Sequence, residues 1–166
     1  PAAAARDKGR IMTTYREIPA RPRASRAVLN LTVSPIRLDI RNVVDCWDRA
    51  GWVRLRRPGT APVELCRFMT AYGGRTEYDV DLSGLASLLR GERVIKAFID
   101  TWVSPGWQID LTLTYAPDSE AVNADWVRGL VFVESYTSDT PGVWGVEAEV
   151  EVPQGLDRVL LYYYVS

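Results

Sequence analysis

The sequence WQIDLTLTY at residues 107–115 decides the fold class, because apolar and polar side chains alternate along it without a break. On a strand, the apolar members share one face and the polar members share the other. Such an alternation is typical of an antiparallel sheet that has one face on the core and one face in water. The stretch therefore predicts an antiparallel β-strand.

Further strands are predicted on both sides of this one. Residues 26–33 alternate in the same way, and residues 94–102 are apolar on both faces, which is typical of a central strand. The turn residues in Arg57–Thr60 predict a hairpin, and those in Ser104–Gly106 predict a second hairpin between 94–102 and 107–115. The remaining predicted strands lie at residues 11–18, 36–40, 52–55, 63–70, 78–80, 130–136, 146–152 and 158–165.

Only one helix is predicted, at about residues 82–90. Asp81 precedes it as a cap, and Gly91 ends it. The residues that share its apolar face are Leu82, Leu85, Leu88 and Leu89. Many short strands with one short helix predict an all-β fold built as an antiparallel sandwich.

Composition excludes several function classes. The chain has 166 residues, a net charge of -1 and no histidine. This excludes Ser-His-Asp and Cys-His catalysis and histidine metal sites within the chain. The charge gives no overall field that would recruit nucleic acid, and no apolar run approaches the roughly 18 residues that a membrane span needs. Hydrolytic chemistry would have to use carboxylates, amides, arginine, tyrosine or a bound water.

The two cysteines are not expected to form a disulfide. If Arg57–Thr60 is a hairpin turn, Cys66 lies opposite about Trp52, and Cys46 lies six residues further back. Six strand residues span about 20 Å. A disulfide needs Cα atoms within about 7 Å of each other.

Two stretches place charged and aromatic side chains together at strand ends. Val44–Arg49 joins a carboxylate, an arginine and an indole, and Phe98–Trp107 holds Asp100 on an apolar face. A carboxylate on such a face is costly unless it has partners or a task. Most Asp-Arg neighbours are surface ion pairs, so these stretches alone leave a structural role open.

Together with Glu64–Thr70 and Asp79–Leu89, these stretches resemble the amino-terminal half of the peptide:N-glycosidase F family. The resemblance covers roughly residues 26–165, and its specificity lies in the ordered combination of motifs. It implies an eight-stranded antiparallel jelly-roll sandwich, packed beside a second jelly roll with the active site between them. The domains it implies are a lead and first strand at 1–25, a jelly roll at 26–116, a linker and connecting strand at 117–145, and opening strands of a second, truncated jelly roll at 146–166.

The resemblance implies an amidase that hydrolyses the asparagine–N-acetylglucosamine amide of N-linked glycoproteins without metal or cofactor. The essential aspartate of the family corresponds to Asp48 and the arginine that follows it to Arg49, so the resemblance implies that both are catalytic. Asp100 stands where the family has a glutamate, which is one methylene longer. The indoles of Trp47 and Trp102 suit the apolar face of a sugar. Both carboxylates close a strand next to a loop, so they are expected to converge within roughly 10 Å.

The resemblance also implies a secreted or periplasmic protein that needs a second jelly-roll half, from the same gene or a companion chain. The chain ends inside an apolar strand, which predicts an uncovered apolar surface around Tyr162–Tyr164. An alternative function is a non-catalytic jelly-roll module that binds glycan or protein. A copper monooxygenase with paired jelly rolls is a third interpretation, and the lack of histidine argues against it.

Overall fold

The computed structural model describes residues 11–18, 25–39, 42–56, 60–103, 105–129 and 149–162. Within them the chain forms seven strands and one 3₁₀ helix. In chain order these are β1 (Ile11–Ile18), β2 (Ser25–Pro35), β3 (Ala50–Arg56), β4 (Val63–Met69), β5 (Thr76–Asp81), the 3₁₀ helix (Ser83–Leu89), β6 (Gly91–Ile99) and β7 (Trp107–Pro117). The mostly-β fold is confirmed, and the count of eight strands stays a prediction.

The strands form two antiparallel sheets. One sheet has the order β1-β6-β3-β4, and the other has the order β5-β2-β7. The core lies between them, because the alternating apolar residues of β2 are buried, as the sequence predicts. The residues of β2 that fill the core are Ala27, Leu29, Leu31 and Val33. Apolar side chains of β7, the strand next to β2 in the sheet, pack against the same core.

The first predicted hairpin is confirmed. Strands β3 and β4 pair antiparallel, with Val53 opposite Cys66 and a register shift between Val53 and Arg54. Cys66 is therefore one position away from the partner expected for it. Cys46 and Cys66 are both free thiols, in agreement with the distance argument from the hairpin register.

The second predicted hairpin is wrong. Strand β6 lies between β1 and β3 in the four-stranded sheet, while β7 pairs with β2 in the other sheet. The connection from Asp100 to Gly106 therefore crosses from one sheet to the other. The physical reason is that β6 already has a hydrogen-bonded neighbour on each side, so it offers no edge to β7. The expectation that β6 is a central strand is confirmed.

The predicted helix is present, but it is a 3₁₀ helix rather than an α-helix. Its apolar residues are buried, and the backbone N–H of Ser83 donates to the carboxylate of Asp81. Tyr115 of β7 donates its hydroxyl to the carbonyl of Leu89. Packing against the sheets thus holds this short element, because so few residues have little helical stability of their own.

The carboxyl-terminal part is described only at residues 149–162, where the structure has no strand. Val159, Leu160 and Leu161 are exposed, and Tyr162 is 59% exposed. Tyr163 and Tyr164, and the strand expected at 130–136, lie outside the described residues, so the second jelly roll stays a prediction. Across the described ranges, no helix combines the length and the apolar character needed to cross a membrane.

Candidate functional site

The candidate site lies at one end of the four-stranded sheet, where β3 begins and β6 ends. Gly51 pairs with Ile99, and the N–H of Asp100 donates to the carbonyl of Ala50 over 2.8 Å. Asp48 precedes this end of β3 by two residues. The structure therefore brings the two predicted strand ends together, and the roughly 10 Å separation of their carboxylates stays a prediction.

The centre of this region is Asp45, whose side chain is buried and whose residue is 2% exposed. Arg49 donates to it twice, from Nε to Oδ2 and from Nη2 to Oδ1, each over 3.0 Å. Thr101 donates its hydroxyl to Oδ2 over 2.6 Å, and the indole N–H of Trp107 donates to the same oxygen over 3.0 Å. One carboxylate thus ties the loop before β3 to the crossing between the two sheets.

Hydrogen bonding decides the charge state of Asp45. Burial alone would raise its pKa, but the bonds from Arg49, Thr101 and Trp107 outweigh burial and hold the pKa well below the usual range. The hydrogen bond to Asp45 raises the pKa of Arg49, and the charges of Asp100 and Asp48 raise it further. Asp45 and Arg49 therefore form a buried ion pair, with two more carboxylates close enough to act on the arginine.

Arg49 also supports an exposed indole. Its residue is 7% exposed, and its Cζ lies 3.8 Å from the centroid of the Trp102 ring. This is the geometry of a cation–π contact. Trp102 itself is 71% exposed. The guanidinium therefore has a carboxylate at its edge and an indole over its plane, and the indole remains accessible.

Two more aromatic rings line the region on the side of Asp48. Trp47 and Tyr72 are both exposed and meet edge to face, with centroids 5.8 Å apart. The thiol of Cys46 lies 3.8 Å from the Tyr72 hydroxyl. This contact raises the pKa of Tyr72, and the charge of Asp48 adds to the effect. Asp48 is thus close to both Arg49 and Tyr72.

The Arg-Phe-aliphatic-Thr motif at residues 67–70 supports the site through the backbone. The N–H of Arg49 donates to Thr70 Oγ1 over 2.8 Å, and the N–H of Thr70 donates to the Arg49 carbonyl over 2.9 Å. Phe68 packs on Gly51 so closely that a Cβ there would lie 2.3 Å from the phenyl ring. A side chain at that position would clash with the Phe68 ring of β4 and with the Phe98 carbonyl of β6, which would lie 2.7 Å from the Cβ.

All five site residues expected from the sequence lie in this region, and their roles as catalytic or sugar-binding groups stay predictions. They are Trp47, Asp48, Arg49, Asp100 and Trp102. The arginine, however, pairs with Asp45, which the sequence analysis did not single out. In the sequence, Asp45 is marked only by its apolar neighbours Val44 and Cys46 and by its position four residues before Arg49. Tyr72, Thr101 and Trp107 were also missed.

The chemistry available here is that of carboxylates and aromatic faces. In the described part of the chain, no group of three or more metal-ligating side chains comes together. Asp48 and Asp100 are exposed next to a buried cation, and indole faces lie beside them. Such a region can orient a water and hold the apolar face of a sugar.

Comparison with known proteins finds relatives for part of the chain. Residues 48–115 match the family model described as "Peptide-N-glycosidase F, N terminal". The chain is also similar to the peptide-N(4)-(N-acetyl-beta-D-glucosaminyl)asparagine amidase F of Elizabethkingia miricola. The two are 24% identical over 157 residues, which cover 81% of this chain and 43% of the relative. The chain thus spans less than half the length of that curated relative.

Solved structures agree on the fold. The crystal structure of a peptide-N(4)-(N-acetyl-beta-D-glucosaminyl) asparagine amidase matches with a TM-score of 0.53 and 20% identity, over 68% of this chain and 38% of that one. PNGase F from Flavobacterium meningosepticum, described as a glycosylasparaginase, matches with a TM-score of 0.53 and 21% identity over the same shares. The β-sandwich class is therefore established. The resemblance to the amino-terminal region of the peptide:N-glycosidase F family is confirmed.

Proposed function

We propose that the chain is the amino-terminal part of an amidase that acts on N-linked glycoproteins. It hydrolyses the amide between an asparagine side chain and the first N-acetylglucosamine, releasing the glycan and leaving aspartate. The observation that supports this most is the meeting of two separate strand ends, carrying Asp48 and Asp100, beside the buried cation of Arg49. The similarity to an amidase of this specificity supports the same substrate class.

In the proposed reaction, Asp48 orients a water and accepts its proton as the oxygen attacks the carbonyl carbon of the asparagine amide. The bond from that carbon to the sugar-bound nitrogen then breaks, and this nitrogen takes up the proton that Asp48 accepted, which returns Asp48 to its ionised form. The products are an aspartate side chain and a glycosylamine. Asp48 suits the first step because it is exposed and lies near a cation without being the acceptor of its hydrogen bonds.

The other predicted residues surround this step. Arg49 supplies a fixed positive charge that favours negative charge nearby. Asp100 contacts the sugar or the site water, and its short side chain makes a bridging water the natural route. Trp47 and Trp102 present exposed indoles to the apolar face of the sugar. No metal or cofactor takes part in the proposed reaction.

The proposed enzyme requires more than this chain. Its first unit is an eight-stranded jelly roll at 26–116, preceded by a lead and first strand at 1–25. A linker at 117–145 leads to the opening strands of a second jelly roll at 146–166, whose remainder completes the active-site cleft. The match to only 43% of the curated relative supports this arrangement. The complete protein is proposed to be secreted or periplasmic.

A non-catalytic module that binds glycans or proteins is the second candidate. The exposed aromatic rings of Trp47, Tyr72 and Trp102 favour it, because a sugar can stack on such rings without any bond being broken. This candidate keeps the fold and the aromatic surface but assigns no chemistry to Asp48.

Deglycosylation of a denatured glycoprotein by the full-length gene product, followed as a gel shift, tests the proposal. Asp48→Asn should lower glycan release by roughly 1000-fold or more, because it removes the base and keeps the shape. The melting temperature should stay nearly unchanged. Asp100→Asn should reduce release less. Asp110→Asn, at an exposed carboxylate of the other sheet, is the matched control and should behave like the wild type.

Full activity in Asp48→Asn would refute the mechanism. A wild-type protein that binds a glycopeptide tightly but releases no glycan would favour the binding module.

A further inference from the structure

We propose that Asp45 is a positioning residue for glycan binding, which acts through Arg49 and Thr101 to hold the Trp102 indole as an open platform for the apolar face of a sugar. The inference rests on the proposed function, because it assumes that a glycan occupies this region. It adds a residue and a task to the site, since Asp45 itself is buried and touches no substrate.

The first connection runs through the guanidinium group. Arg49 donates from both Nε and Nη2 to the two oxygens of Asp45, each bond being 3.0 Å long. A bidentate pair of this kind fixes the plane of the guanidinium as well as its position. The indole of Trp102 lies over that plane, 3.8 Å from Cζ to the ring centroid. The orientation of Asp45 is thus transmitted to the ring.

The second connection runs through the backbone on both sides of Trp102. Thr101, the preceding residue, donates its hydroxyl to Asp45 Oδ2 over 2.6 Å. The same hydroxyl accepts a hydrogen bond from the N–H of Val103, the following residue, over 3.1 Å. Trp102 is therefore flanked by Thr101, which bonds Asp45 directly, and by Val103, which bonds the hydroxyl of Thr101.

The charges around Arg49 explain why its guanidinium needs a fixed partner. The charges of Asp48 and Asp100 attract Arg49, so a loosely held guanidinium would be drawn towards them. Asp45 keeps it in place with two direct hydrogen bonds, and the burial of the pair screens their attraction less than water would. The guanidinium thus supports one side of the Trp102 ring, and Trp102 remains 71% exposed.

Affinity for an N-glycopeptide, measured by calorimetry, tests the inference. The Asp48→Asn form of the full-length gene product serves as the background, so that no turnover disturbs the titration. In it, Asp45→Asn should weaken binding about 10-fold, which is the loss of a well-ordered ring contact. Trp102→Ala should weaken binding at least as much. Adding Asp45→Asn to Trp102→Ala should change the affinity less than about twofold.

A purely structural role predicts a different result. The two losses would then multiply, and that outcome would overturn the inference. Glu64→Gln is the matched control, because Glu64 is another buried carboxylate paired with arginines, on the β3–β4 hairpin. It should leave the affinity within about twofold of the background.

Two further variants carry the test if Asp45→Asn does not fold, as judged by circular dichroism. Thr101→Val keeps the shape and the ion pair but removes the hydroxyl, and Arg49→Lys keeps the charge but removes the bidentate fork. Each should weaken binding several-fold in the Asp48→Asn protein that retains Trp102. Each should have little effect in the same protein when Trp102→Ala is also present. Unchanged binding in both would overturn the inference.

The wild-type enzyme separates the two proposals. If the wild type releases glycan normally and the affinity losses of Asp45→Asn and Trp102→Ala multiply, only the proposed role of Asp45 is refuted. No glycopeptide binding and no release by the wild type sinks the proposed function and, with it, this inference.

Discussion

Two regions of the molecule use the same three groups, a carboxylate, a guanidinium and an indole, in different surroundings. In the first, Asp45 holds Arg49, which lies 3.8 Å from the centroid of Trp102. In the second, Glu64 accepts from Arg54, whose Cζ lies 3.6 Å from the centroid of Trp52. Both carboxylates and both arginines are largely buried.

The difference lies in what surrounds each indole. Trp52 is partly buried and stacks on Phe98 of the neighbouring strand, with centroids 5.2 Å apart. Glu64 is also shared with a second arginine, Arg67, over 2.7 Å. Trp102 is exposed, and its arginine is attracted by two additional carboxylates. The same chemistry therefore completes a packed surface at one place and leaves an open aromatic face, with two further carboxylates nearby, at the other.

The largest expected effect is on stability, when either carboxylate is removed. Asp45→Ala should cost about 3–5 kcal/mol of unfolding free energy, because it leaves the charge of Arg49 buried without its partner. It also releases the crossing between the sheets. Glu64→Ala should cost less, because Arg67 is 30% exposed and both of its arginines make further interactions. Urea unfolding of the two variants measures the difference.

Equal losses, or a larger loss in Glu64→Ala, would contradict this ranking. Such a result would mean that the bonds from Thr101 and Trp107 to Asp45 add nothing to the cohesion of the two sheets.

Much of the fold could be predicted from local patterns. The alternation at 26–33 and 107–115 predicted strands β2 and β7, which are neighbours in the same sheet. Turn residues predicted the β3–β4 hairpin. The crossing between β6 and β7 could not be predicted. Turn residues at 104–106 indicate that the chain reverses, but they do not indicate which sheet the next strand joins.

The same error explains why Asp45 was missed. Its partners Thr101 and Trp107 lie 56 and 62 residues away along the chain, so the contacts exist only because the crossing brings them there. Asp45 and Asp48 lie three residues apart in the sequence, and the fold buries the first and exposes the second. Asp48 was identified by family resemblance, while a buried carboxylate that accepts five hydrogen bonds can be recognised only in three dimensions.

Truncation of Trp52 should affect stability more than binding, and truncation of Trp102 should affect binding more than stability. Both stability effects should be smaller than that of Asp45→Ala. Trp52→Ala should cost roughly 1–3 kcal/mol, because it removes the stack with Phe98 and leaves a gap on the sheet. Trp102→Ala should cost less than about 1 kcal/mol, because the ring is already exposed. Glycopeptide affinity should fall about 10-fold only in the second variant. Thermal unfolding and calorimetry on the same preparations give both values.

If Trp52→Ala weakens glycopeptide binding and Trp102→Ala does not, the assignment of the open indole to the sugar is wrong. The comparison would then have to be reversed, with the packed surface as the binding face.

The smallest expected difference is chemical and uses the one cysteine near each region. Cys46 precedes Trp47 and is partly exposed, whereas Cys66 is buried two residues from Glu64. Burial raises the pKa of the Cys66 thiol to about 11, and the charge of Glu64 adds to the increase. Because the thiolate is the reactive form, Cys66 should react with iodoacetamide at pH 8 roughly 100-fold more slowly than an ordinary thiol.

Mass spectrometry of labelled peptides should therefore find Cys46 modified first, and Cys66 modified only after denaturation or as the pH approaches 11. A saturating N-glycopeptide should slow the labelling of Cys46 in the Asp48→Asn protein, because the thiol lies beside Trp47 and within 3.8 Å of the Tyr72 hydroxyl. Cys46→Ser, which removes the fast site, is the control. Equal labelling of Cys46 with and without glycopeptide would place the bound sugar away from Trp47 and Tyr72, and would confine the sugar contacts to the side of Trp102.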